Sequence, residues 1–100
     1  MAAYTSSKAK TITVSTSAAD TITLTGSGKY LRIAHNSTSS AIYFTAEPTG
    51  TTPVAAVALA DNVMAVFPTQ WFTMAWPGTG ANISVITAGV AVVANFTLHD

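Results

Sequence analysis

Six side chains in this sequence could carry acid–base or metal chemistry: His35, His99, Asp20, Glu47, Asp61 and Asp100. Acid–base catalysis needs a positioned pair with shifted pKa values. A metal site needs three or four convergent ligands. The carboxylates fall in predicted turns or at the chain end, and no two of them share a strand face. His35 and His99 would meet only if the strands that carry them pair. There is no cysteine, which removes a thiol nucleophile, a thiolate metal site and a disulfide framework together. Gly26-Ser27-Gly28 lacks the third glycine and the following helix of a phosphate-cradling loop. The expectation is a protein with no catalytic residues, no cofactor and no metal.

The other residues of interest are amides and aromatics. Asn36, Asn82 and Asn95 each begin an Asn-X-Ser/Thr sequon, which a chain with 26 serines and threonines produces readily by composition alone. Trp71 and Phe72 are neighbours, so on a strand they face opposite ways. One ring belongs to a core. The other is offered to something else, either a protein interface, where Trp and Tyr are enriched, or a sugar stacked on Trp71 or Trp76.

The elements that must position these groups follow a period of two, the mark of half-buried strands. Thr11-Ile12-Thr13-Val14 and Thr21-Ile22-Thr23-Leu24 alternate hydroxyl with apolar, and β-branched residues supply the propensity. Leu31 and Ile33, then Ile42 and Phe44, point inward from the next two strands. Residues 47–53 form the longest loop, broken by Pro48, Gly50 and Pro53. Residues 54–60 are apolar and fit a short strand or a helical turn equally, with a turn at Asp61-Asn62. Val63 to Phe67 is apolar throughout and predicts a strand buried on both sides. Phe72, Met74 and Trp76 share one face, opposite Trp71. A turn at 77–80 leads to a strand around Ile83 and Val85, and the last strand places Val90, Val92, Ala94, Phe96 and Leu98 on one face. Seven to eight short strands with turns every eight to twelve residues read as an all-β antiparallel sandwich, jelly-roll-like. Residues 1–8 show no alternation and read as an extended N-terminal arm before a single domain over 9–100.

Composition narrows the function classes. One hundred residues make one domain. Charged residues are 8% of the chain and cancel to zero, against roughly 25% in an ordinary domain. Alanine, threonine and serine together supply 44 residues, so the polar surface is mostly hydroxyl. Four cations cannot build the basic stripe that nucleic acid requires. The longest apolar run is seven residues, far below the ~20 of a membrane-spanning helix. No nucleic acid and no membrane are expected as partners. The N-terminal residues lack the charged-then-apolar layout of a secretory signal, which sets the expectation of assembly in a bacterial cytoplasm. Lys8, Lys10, Lys29 and Arg32 all lie in the first 35 residues, whereas Glu47, Asp61 and Asp100 face no base in the rest. Such polarity suits an acidic partner for the N-terminal side.

The segment KYLRIAHNSTSSAIYF over residues 29–44 resembles small virion proteins of tailed bacteriophages: a strand ending in Asn, a small polar loop and a short aromatic strand. The Pro77-Gly78-Thr79-Gly80 turn and the Thr87-Ala88-Gly89 turn before the last strand continue the likeness, which covers residues 29–98. It is one of composition and rhythm. The chain resembles capsid decoration (cement) proteins and related head or tail accessory proteins. The resemblance implies a β-sandwich on the outer surface of an icosahedral shell, a virion location, self-association as a trimer or dimer, and contact with the major capsid protein or other virion subunits. The interface residues expected are Tyr4, Lys8, Lys10, Tyr43, Trp71 and Trp76. The alternative is a carbohydrate-binding or fibre-type domain.

Overall fold

In a computed structural model, the described residues are 2–48, 50–53, 55–56, 58, 63–76 and 79–100. They form nine strands and no helix: β1 (Ala3–Ser6), β2 (Ala9–Val14), β3 (Asp20–Ser27), β4 (Tyr30–His35), β5 (Ile42–Glu47), β6 (Met64–Val66), β7 (Trp71–Ala75), β8 (Thr79–Thr87) and β9 (Val92–His99). Two sheets result, ordered β1-β3-β8-β5-β6 and β2-β9-β4-β7.

The pairing has a simple rule. β2 pairs β9, β3 pairs β8, β4 pairs β7 and β5 pairs β6, all antiparallel. The chain is thus one long hairpin of four-strand arms, rolled so that β4 also meets β9 and β5 meets β8. That is the eight-strand jelly-roll arrangement of a β-sandwich. Its core is the inward half of each alternating strand. Ile12, Val14, Ile22, Leu24, Leu31, Ile33, Ile42, Phe44, Val66, Val85, Val92 and Phe96 are all buried, as the alternation predicts.

Three expectations change. Residues 3–6 are extended, but they are not a free arm. They add β1 to the first sheet, parallel to β3, with Tyr4 opposite Ile22 and packed against the core. The link Ser7-Lys8 then crosses to the second sheet, its carbonyls accepting from Gly26 N (2.7 Å) on one side and Leu98 N (2.7 Å) on the other. Second, β6 is not buried on both faces. Among the described residues it is an edge strand paired with β5 alone, so Val66 turns inward while Met64 stays exposed, and Phe67 just beyond it is exposed too. The strands covered on both faces are β8 and the start of β5: Ile83, Val85, Ile42 and Phe44 face the core, and Ile86 joins Tyr43, Ala19 and Ala56 in a second cluster on the opposite face of that sheet. Ala56 N donates to Ser84 Oγ at 2.9 Å, holding that covering segment on β8. The ambiguity over 54–60 falls largely outside the described residues, as does the Asp61-Asn62 turn. Third, His35 and His99 do not meet. β4 and β9 pair, but in antiparallel register, with Tyr30 opposite His99 and His35 opposite Ala94, so the histidines stand at opposite ends.

Among the described residues, Asp20 is the buried carboxylate. Its oxygens accept Ala2 N at 3.2 Å and Ser15 N at 3.0 Å, tying β1 and the end of β2 to the start of β3. Asp20→Ala would leave both N–H groups without that acceptor. We expect a loss of about 2–3 kcal/mol, read from the urea midpoint at unchanged slope, and a smaller loss for Asp20→Asn, which keeps one acceptor. A midpoint equal to wild type for Asp20→Ala would show that these bonds are dispensable.

Candidate functional site

The expected interface residues do not form one surface. Tyr43 is 8% exposed and Trp76 6% exposed, so neither offers a face to a partner or a sugar. Tyr43 sits in the second cluster; Trp76 closes one end of the core, its indole N–H donating to Gly80 O at 2.7 Å. Tyr4, Lys8 and Lys10 lie together at the β1–β2 corner. Lys10 Nζ is 5.8 Å from the Tyr4 ring centroid, so its alkyl stem and charge cover the seam between the two sheets. Trp71 is 67% exposed and lies elsewhere, on β7 at the opposite edge of the second sheet from β2.

The two ends of the sandwich differ in chemistry. At one end are the Ser7-Lys8 crossing, the β3–β4 turn and the end of β9. Lys8 O accepts Leu98 N, and Lys29 O accepts Trp76 N at 2.8 Å. A side chain at Gly28 would strike the His99 backbone, with a Cβ only 2.7 Å from its nitrogen, so these loops pack closely. Lys8, Lys10, Lys29 and Arg32 lie in this half, with Lys10 opposite Phe96 and Arg32 opposite Thr97, together with Glu47 and Asp100. At the other end are the turns around Ser15–Ala19, Asn36–Ser40, Pro68-Thr69 and Ala88–Val90. Among the described residues this end has no exposed charged side chain; Asp20 is buried there. It carries instead exposed Phe67, Trp71, Val90 and Val93.

Backbone and histidine together fix the position of Trp71. Thr69 adopts φ 63° in the turn between β6 and β7, a conformation unfavourable for a β-branched residue. Gln70 N closes the turn onto Phe67 O at 3.2 Å, and Thr69 N donates to Ser37 O at 3.0 Å. His35 Nδ1 accepts Ser37 N, which leaves the ring proton on Nε2, facing the carbonyls of Val66 (3.2 Å) and Phe67 (2.9 Å). His35 is therefore a brace between β4 and this turn.

The outer face of the second sheet holds a cross-strand row: Thr11 opposite Asn95, Asn95 opposite Ala34, Ala34 opposite Trp71. Because Ala34 is small, the surface falls into a hollow of about 220 Å³ lined by Thr11, Ala34, His35, Asn36, Val93, Ala94 and Asn95. Asn95 Nδ2 donates to Thr11 Oγ1 at 2.9 Å, and the Thr97 hydroxyl donates to Asn95 Oδ1. Of the other sequon asparagines, Asn82 donates to Thr51 O at 3.1 Å and Asn36 is exposed. Among the described residues no three of His, Cys, Asp or Glu cluster as metal ligands would. Sequence reasoning singled out Trp71 by its parity against Phe72 but missed Thr11, Ala34 and Asn95, whose alignment depends on three strand pairings. Comparison with protein-family models, with curated proteins and with solved structures finds no match to this chain.

Proposed function

We propose that this chain is a non-enzymatic virion structural protein, a decoration protein that binds and stabilises the outer capsid surface of a tailed bacteriophage. It would be assembled in the host cytoplasm and sit on the shell as a small homo-oligomer, a trimer or a dimer. The sandwich architecture agrees with this by analogy of fold, since jelly rolls serve in viral shells and in lectins. A surface of hydroxyls and alanine carries few charges whose desolvation would oppose binding. About 800 Å² per partner would suffice for a stable contact.

The observation that carries the reading is that all four cations lie in one half of the sandwich, where they outnumber the carboxylates Glu47 and Asp100 among the described residues. That half is the one to meet an acidic shell, with electrostatics setting register and association rate more than affinity. Charge reversal tests it. Lys8 and Lys29 are exposed and lie outside the core, so Lys8→Glu with Lys29→Glu leaves the fold intact. We expect the double variant to co-sediment with undecorated heads much more weakly than wild type and with a flatter dependence on salt. Equal binding at low salt would remove the basic end as the docking surface; no binding of either protein to any head would remove the decoration role itself.

A further inference from the structure

We propose that the outer face of β2-β9-β4-β7 binds a neutral carbohydrate, one sugar ring seated over Ala34 against Trp71 with its hydroxyls on Asn95 and Thr11. This goes beyond shell binding and does not rest on it. The row lies towards the uncharged end, so a protein docked through Lys8 and Lys29 at the other end would leave it open.

Four observations converge. Trp71 presents a large, amphipathic, exposed ring from a backbone position held by the braced turn before it. Trp71 borders, through its pairing with Ala34, a shallow open hollow of about 220 Å³ with a mostly apolar floor and a few polar groups at its rim, small but of the kind that takes one sugar ring. Asn95 is oriented but not exhausted. Its amide gives one hydrogen to Thr11 and its oxygen takes one from Thr97, which leaves one N–H and one lone pair. A donor and an acceptor on one planar amide complement two adjacent hydroxyls of a sugar. Lastly, none of the residues lining the hollow is Asp, Glu, Lys or Arg, and the nearest cation on this face, Arg32, stands one register step along, opposite Thr97.

The same polar rim argues against an apolar protein side chain as the occupant. Such a knob would cover the Asn95 amide and the Thr11 hydroxyl without pairing them, at the cost of burying unsatisfied groups. A polyol pairs them and still lays its C–H face on the indole.

The test is a titration of the isotopically labelled protein with cellotriose, xylotriose and tri-N-acetylchitotriose, followed by amide and indole NMR shifts. At least one probe should bind in the millimolar range, with shifts confined to Thr11, Ala34 to Asn36, Trp71, Val93 and Asn95. Trp71→Ala should weaken that binding by roughly tenfold or more. Ala34→Leu should fill the hollow and abolish it while leaving Trp71 in place. Both positions are at the surface, and an unchanged melting curve checks each fold. No shift with any probe, or shifts that survive both variants, would overturn the proposal. So would concentration-dependent self-association that disappears in Trp71→Ala without any sugar binding, which would make the face a contact between copies of the chain.

Discussion

Phe96→Ala is expected to cost about 3–5 kcal/mol, a large share of the ~5–15 kcal/mol that holds a domain of this size. Phe96 is fully buried at the middle of β9, the strand flanked by β2 and β4, with Ile33 opposite it on one side and Lys10 on the other. Truncation removes a whole ring from a core whose neighbours are fixed by ladders on both sides, so little of the void can collapse. At ~4–8 °C per kcal/mol for a chain of this length, the melting temperature should fall by well over 10 °C. Val93→Ala is the companion measurement. Val93 is on the same strand with opposite parity and is exposed, so its truncation should stay within about 0.5 kcal/mol. A Phe96→Ala protein that melts within a degree or two of wild type, or a Val93→Ala protein that suffers as much, would put the wrong face of β9 in the core.

That contrast shows where the sequence speaks clearly. A strand with one wet face writes its orientation in its own alternation, so Ile12, Leu24, Ile33 and Phe96 could each be assigned inward without knowing a single partner. Alternation is silent where both faces are covered or where a strand is short. β8 is covered twice because the segment containing Ala56 folds back over it, a long-range event that no local pattern records. Val63 to Phe67 looks like a core strand because it is apolar, yet it lies at a sheet edge and leaves Met64 and Phe67 exposed. The candidate site was half legible for the same reason. Parity exposed Trp71, but the hollow beside it exists only because β2, β9, β4 and β7 align Thr11, Asn95, Ala34 and Trp71 across one row. The histidines show the converse: their strands do pair, and direction alone separates them.

Deleting residues 2–6 should be as damaging as emptying the core at Phe96, although the segment has the composition of a tail. Terminal residues are mobile unless something ties them down, and here three things do. The parallel ladder runs from Ala3 opposite Thr21 to Ser6 opposite Leu24. Ala2 is fastened at both its polar groups, N to Asp20 and O accepting Thr21 N at 2.9 Å. Tyr4 packs on the core and receives Lys10 over its ring. Deletion removes one acceptor from Thr21 and one donor from the buried Asp20 carboxylate, each worth about 1 kcal/mol net. It also uncovers apolar surface at ~25 cal/mol per Å² where Tyr4 sat. We expect a total loss of at least ~3 kcal/mol in a urea titration. The deletion also bares the hydrogen-bonding edge of β3, an invitation to strand pairing between molecules, so concentration-dependent association should appear that the full chain does not show. Tyr4→Ala separates the contributions: it keeps the ladder and the edge covered and loses only the ring, so it should be destabilised less and should not gain that association. A truncated chain with the full urea midpoint and no new association would mean that β1 is an ornament on β3, and that the first sheet is complete without it.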